Sequence, residues 1–271
     1  MKLLGLTLGR GKAAASPTLD EQLREAGAFF AAGEYEAAIA VWLPLAQSGN
    51  AEAQAGLGLC LMQGLGAPAD LETGAKWLLA AAVQGHPLAQ RAVAEAYLKG
   101  EGVPQSDVDA ELWYRRAAEQ GDAAAQDMLS WLLANDDGRT PDYAESLKWA
   151  RAAADQGIPA SMTRIGLFHH NALGVARDAE TSIAWWRSAA ALGDPDGQAM
   201  LGAAHHIGQG VPQDRIRAYA WLMRARWGGS KLAERFLSPV YATLSPAEIE
   251  AGKELARNLP EAEAQEPGAS P

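Results

Sequence analysis

The sequence predicts an all-α solenoid of about six 36-residue helix-turn-helix repeats closed by terminal capping helices. Three observations predict it. One glycine recurs at Gly49, Gly85, Gly121, Gly157, Gly193 and Gly229, always 36 residues apart. Five of the nine tryptophans, Trp77, Trp113, Trp149, Trp185 and Trp221, keep the same step. Alanines follow in register at Ala81, Ala117, Ala153, Ala189 and Ala225 without insertion or deletion, and no period-two alternation marks a strand.

The elements follow in chain order. Residues 1–18 are expected to be disordered, and residues 19–49 form a degenerate first helix pair that caps the array: Leu23, Ala26 and Phe30 share one face, Gly33 turns the chain, and Ile39, Trp42 and Leu45 continue. Full units occupy 50–85, 86–121, 122–157, 158–193 and 194–229. Asn50, Asp122 and Asp194 suit the N-cap of helix A, and Pro87, Pro159 and Pro195 suit its first turn, where an amide has no partner to lose. Ala53, Leu57 and Leu61 then lie four apart as an apolar stripe, and Gly58 permits close helix approach.

Gly64-Leu65-Gly66 and Gly100-Glu101-Gly102 break the chain, and Asp70, Ser106, Asp142, Asp178 or Asp214 reopens it as helix B. The tryptophan fills the groove on helix B, and the recurring glycine ends it in a left-handed conformation that costs a residue without a Cβ little. Asp136 and Pro141 set the loop of the fourth unit apart. After Gly229, residues 230–259 are read as capping helices. Leu232, Phe236 and Val240 are amphipathic, and Ser245-Pro246-Ala247-Glu248 is a capping box that opens a last helix to about Leu259. Residues 260–271 are expected to be a disordered acidic tail.

Composition excludes several function classes. The chain has 271 residues, 48% hydrophobic and 21% charged, which suffices for a sizeable core. Its 33 acidic and 23 basic residues give a net charge of −10, which disfavours general binding to nucleic acid. The one cysteine, Cys60, allows neither an internal disulfide nor a thiolate cluster for zinc. No transmembrane segment is expected. Lys2, the apolar run Leu3 to Leu8 and Ala13-Ala14-Ala15 resemble an export signal, but Arg10 and Lys12 interrupt it. The expectation is a cytoplasmic protein, or a periplasmic one if residues 1–15 act as a signal.

The third unit runs Ala89, Val93-Ala94, Tyr97, Gly100-x-Gly102-Val103, Ser106, Ala110, Trp113-Tyr114, Ala117-Ala118 and Gly121, and the sixth has Leu201-Gly202, Gly208-x-Gly210-Val211, Asp214, Ala218 and Trp221. This pattern resembles the Sel1-like repeat family, a relative of the tetratricopeptide repeat, over about residues 19–229. The resemblance implies helix pairs wound into a right-handed superhelix. It also implies a non-enzymatic adaptor that binds a partner protein or extended peptide on its concave face, in bacterial signalling or envelope-related regulation. Carried over by position, that face holds Arg91, Glu95, Lys99, Asp127, Trp131, Asn135, Thr163, His170, Asn171 and His206, together with Leu98, Leu167 and Ala203.

Trp131 stands outside the packing column and is either an exposed anchor or a packed side chain. His169-His170 and His205-His206 sit 36 apart, with His169 and His205 in the aromatic column held by Tyr97, which favours packing over metal binding. No metal and no cofactor is expected. Arg215, Arg217, Arg224, Arg226, Lys231 and Arg235 make the end of the array basic, as a solvated face or a dock for an acidic segment. The alternative function is a hydrolase of β-lactam or cell-wall type, drawn from cysteine-rich relatives. The single Cys60 departs from those relatives, and Ser146-Leu147-Lys148 has the wrong spacing for a serine-lysine pair. A monomer is expected.

Overall fold

The computed structural model describes residues 17–135 and 139–263, which fall into two compact units, one ending at Ser106 and the other starting at Asp107. Every regular element among the described residues is an α-helix. The first unit holds α1 (Leu19–Ala31), α2 (Tyr35–Gln47), α3 (Ala51–Gln63), α4 (Leu71–Val83) and α5 (Pro87–Lys99), each packed on the next. The second holds α6 (Asp107–Glu119), α7 (Ala123–Ala134), α8 (Tyr143–Asp155), α9 (Pro159–Asn171), α10 (Ala179–Ala191), α11 (Pro195–Ile207), α12 (Arg215–Trp227), α13 (Lys231–Tyr241) and α14 (Pro246–Glu263). The expected all-α architecture of consecutive helix pairs is what forms.

The caps explain why the elements stop and start where they do. Each recurring glycine has φ between +85° at Gly157 and +95° at Gly49. The next residue then caps helix A: Asn50, Asp122, Asp194 and Ser230 accept the amides of Ala53, Ala125, Gly197 and Ala233 at 2.9, 2.8, 2.7 and 3.3 Å. At the start of α1, Thr18 and Glu21 form a reciprocal capping box. Residues 136–138, which include the unusual Asp136, lie outside the described residues, as do 1–16 and 264–271.

Packing within a pair rests on a column the sequence reading did not rank first. Trp113, Trp149 and Trp221 are buried, but Trp77 and Trp185 are only half-buried. The deeper position is the next residue along helix B. Leu78, Trp186 and Leu222 press on Gly58, Gly166 and Gly202, where a Cβ would meet them at 2.8, 2.3 and 2.8 Å. Large on helix B is thus matched by small on helix A, which brings the backbones close and buries both.

Consecutive repeats are tied by a second repeated device. Gln54, Gln90, Gln126 and Gln198, all buried, donate to the carbonyls of Ala46, Ala82, Ala118 and Ala190 at 3.1, 3.1, 3.1 and 3.3 Å. Each of these carbonyls, in the last turn of the preceding helix B, also accepts the amide of the recurring glycine, so the glutamine is a second donor that ties the next helix A to that end. In the second unit the A helices α7, α9, α11 and α13 touch one another in turn, while α8 and α10 come no comparably close. The A rank is the one expected to line the concave side.

The end of the array differs from expectation in length. The last helix continues through Pro260 to Glu263, four residues beyond the expected end at Leu259 and into the segment expected to be disordered. α14 lies on α12, where Gly252 meets the Tyr219 ring, Arg224 donates to the Ala256 carbonyl at 3.0 Å, and Leu259 is buried with Trp186, Leu201 and Trp221. No helix among the described residues is long and apolar enough to cross a membrane.

Candidate partner-binding face

Side chains four and seven residues apart share one face of a helix, so the face of α7 expected to be inner presents Asp127, Trp131 and Ala134–Asn135, and that of α9 Thr163, Leu167 and His170. Trp131 is 41% exposed, which places a large aromatic at the surface. Asn171 is exposed, and Asn135, His170 and His206 are half-buried. In the first unit, Glu95 and Lys99 form an exposed ion pair at 2.5 Å along α5, with Arg91 half-buried one turn earlier.

Two of the expected contact residues are committed to the fold instead. Thr163 is buried, and its hydroxyl donates to Asp194 at 2.6 Å, where the same carboxylate caps α11. It has no surface to offer a partner. Asp127 accepts from the Ser161 hydroxyl at 2.6 Å and pairs with Arg164 at 2.7 Å, both on α9, so it braces neighbouring A helices. The reason is common to both: at the start of helix A the inner-face position lies where one repeat meets the next, and tetratricopeptide-like register alone does not separate that seam from open surface.

The histidine pairs divide as their positions dictate. His169 and His205 point into the core, 8% and 4% exposed, and His205 Nδ1 lies 3.3 Å from the Pro212 carbonyl. Burial holds His205 below the usual imidazole pKa. Burial, with the Arg177 charge beside it, does the same for His170. The His170 ring packs against Trp186, ring centres 5.4 Å apart and planes tilted by 47°. His170 and His206 both line one pocket of about 130 Å³ on the second unit, together with Trp186 from α10, Met200 and Ala203 from α11, and Phe236 from α13. No group of three or more His, Cys, Asp or Glu among the described residues could hold a metal ion.

Sequence reasoning reached His170, His206 and Ala203 but missed Trp186, Met200 and Phe236 as pocket walls. The available signal was size: Trp186 stands in the column occupied by Leu78 and Leu222, and an indole there overhangs α9.

The basic stretch 214–235 is in part structural. Arg215 donates to the Thr243 carbonyl at 3.1 Å and to Glu248 at 3.4 Å, Arg217 pairs with Asp214 at 3.6 Å, and Arg224 holds α14. The nucleophiles weighed for a hydrolase are also buried. Cys60 is fully buried and its thiol pKa is raised by burial, which suppresses the thiolate. Ser146 is fully buried and donates to the Ser130 carbonyl at 2.6 Å.

The Sel1 repeat matches residues 51–86, 87–122, 123–158, 159–194 and 195–225. Among solved structures, a protective antigen of uropathogenic Escherichia coli with an SLR fold is similar at 26% identity and a TM-score of 0.80, over 93% of this chain and 57% of that one. This chain thus spans little more than half of that antigen. A Sel1 repeat protein from Oxalobacter formigenes is similar at 29% identity and a TM-score of 0.76, over 88% of this chain and 99% of that one. No curated protein matches.

Proposed function

We propose that this chain, which belongs to the Sel1 repeat family, is a non-enzymatic adaptor whose inner face in the second unit binds a partner protein or an extended peptide. Sel1 repeats are generally protein–protein interaction modules. The single observation that carries the reading for this chain is Trp131, a tryptophan 41% exposed on the inner A rank, where a core residue would be covered. Exposed tryptophan is costly to leave in water and is enriched among residues that dominate binding energy. Burial of Cys60 and Ser146 speaks against the hydrolase alternative. We place the adaptor in bacterial signalling or envelope-related regulation, in the cytoplasm unless residues 1–15 export it.

The test is affinity purification from the native cell with the unaltered chain beside Trp131→Ala/Asn135→Ala. Circular dichroism first establishes equal helicity. A stoichiometric partner lost only with the variant supports the inner face. Equal recovery with both chains sinks it, and sustained nitrocefin turnover by pure protein would return the hydrolase.

A further inference from the structure

Four ties hold the connection between α11 and α12, residues 208–214, against the end of α11. The His205 carbonyl accepts the Asp214 amide at 2.9 Å, and the His206 carbonyl accepts the Gln213 side chain at 2.8 Å. The Gly208 and Gln209 amides return to the Ala204 carbonyl at 2.9 and 3.1 Å. The fourth tie is the imidazole of His205, whose Nδ1 lies 3.3 Å from the Pro212 carbonyl. A carbonyl only accepts, so the proton of the neutral ring sits on Nδ1 and leaves Nε2 as a bare acceptor.

That Nε2 is buried without a hydrogen-bond partner, on a side chain only 4% exposed. A second proton must go there, as an N–H in a site without an acceptor. The surrounding charges do not compensate. Arg187 on α10 and Arg217 on α12 oppose a cation at His205. Asp214 favours one, but it is already held by the Arg217 amide at 2.9 Å and by the Arg217 guanidinium at 3.6 Å. At the equivalent positions of the flanking A helices stand His169 on α9 and Tyr241 on α13, which bring no carboxylate.

An open connection removes these obstacles. Burial, with the two arginines adding to it, holds the His205 pKa below its ordinary 6.5 while the connection is closed. Once the ring meets water it returns toward that value. The open form therefore binds the proton more tightly, and each fall in pH below 6.5 favours opening.

The equivalent connections are built differently. One repeat earlier Ala176 stands in the place of Pro212, and His169 Nδ1 has no hydrogen-bond partner. In the third unit Tyr97 takes the position of His205, and its carbonyl still accepts the Ser106 amide at 2.9 Å. The turn thus closes without a histidine, and the imidazole adds something to it.

We infer that His205 is a proton-operated latch on residues 208–214. With a neutral ring it holds the connection to α11; protonated on both nitrogens, the ring leaves its site and the connection opens. His206 and Gln209 border the pocket that Trp186 lines, so opening reshapes that wall. The latch goes beyond the adaptor reading and does not depend on it.

Amide hydrogen exchange of the full chain, followed by mass spectrometry at pH 7.5, 6.5 and 5.5 and corrected for the intrinsic rate at each pH, reads the opening directly. The reference is residues 64–70, the equivalent connection in the first unit, where Leu61 stands in the place of His205. Protection of residues 208–214 is expected to fall about five- to tenfold from pH 7.5 to 5.5, while residues 64–70 stay within about twofold. His205→Tyr, patterned on Tyr97, and His205→Phe are each expected to keep protection flat across the same range. A fall that persists in a folded variant, or that residues 64–70 share, overturns the latch, as does flat protection in the unaltered chain. Should neither variant retain its helicity, the ratio of the two segments in the unaltered chain decides alone.

Discussion

Trp186 lies so close over Gly166 that a Cβ on the glycine would sit 2.3 Å from the indole nitrogen, which itself donates to the Thr163 carbonyl at 3.2 Å. The hydrogen bond satisfies the buried donor, and the missing side chain makes room for the ring. One indole thus joins α10 to α9 and forms a wall of the pocket beyond.

Gly166→Ala is therefore expected to destabilise the protein by about 1–3 kcal/mol through overpacking, although alanine is the better helix former. Urea unfolding followed by circular dichroism measures it. A neutral or stabilising result would show that the indole moves aside at no cost.

Gln126 receives a hydrogen bond from Gln156 at 2.9 Å and donates to the Ala118 carbonyl, so it joins three consecutive helices. Its replacement by alanine removes two hydrogen bonds and leaves a void at a buried position, and is expected to cost about 1–3 kcal/mol. Gln126→Met should cost less, since Met162 fills the same position one repeat later. Equal losses for the two variants would place the contribution in the hydrogen bonds and not in packing.

Ala172 ends α9 at φ 58°, in the left-handed region where the other described repeats place Gly64, Gly100 and Gly208. A residue with a Cβ stores on the order of 1 kcal/mol there. Ala172→Gly should stabilise the chain by about 0.5–1 kcal/mol net of the added freedom of the unfolded state. A lower melting temperature would mean the position is not strained.

Acid should weaken the second unit before any carboxylate titrates. His170 and His205 are held below the ordinary value of 6.5, chiefly by burial. Between that value and their folded pKa the unfolded chain binds protons that the fold refuses, so stability rises with pH across this window and falls as pH drops from about 6.5. The depressed carboxylates Glu145 and Asp178, held down mainly by Arg115 and by Thr181, act in the same direction only around and below their ordinary values of 4.5 and 3.8. Denaturation midpoints at pH 7.5, 6.5 and 5.5 measure the effect, and a flat profile across them would rule out a histidine contribution.

The 36-residue period, the glycine and N-cap columns and the family were all legible in the chain, because each is a local demand: a left-handed residue after helix B, a side-chain acceptor before helix A, an apolar stripe every turn. The burial of His169 and His205 was legible as well, since they stand where Tyr97 stands. What only the tertiary structure decided is which of two adjacent residues goes deepest and which inner-face residues stay open. Trp185 or Trp186, Thr163 or His170, are equivalent to local propensity. The choice falls to the packing of neighbouring helices, where Gly166 admits one indole and Asp194, arriving from the next repeat, draws Thr163 out of reach. The pocket follows from the same cause, for its walls come from four helices and no stretch of sequence holds them together.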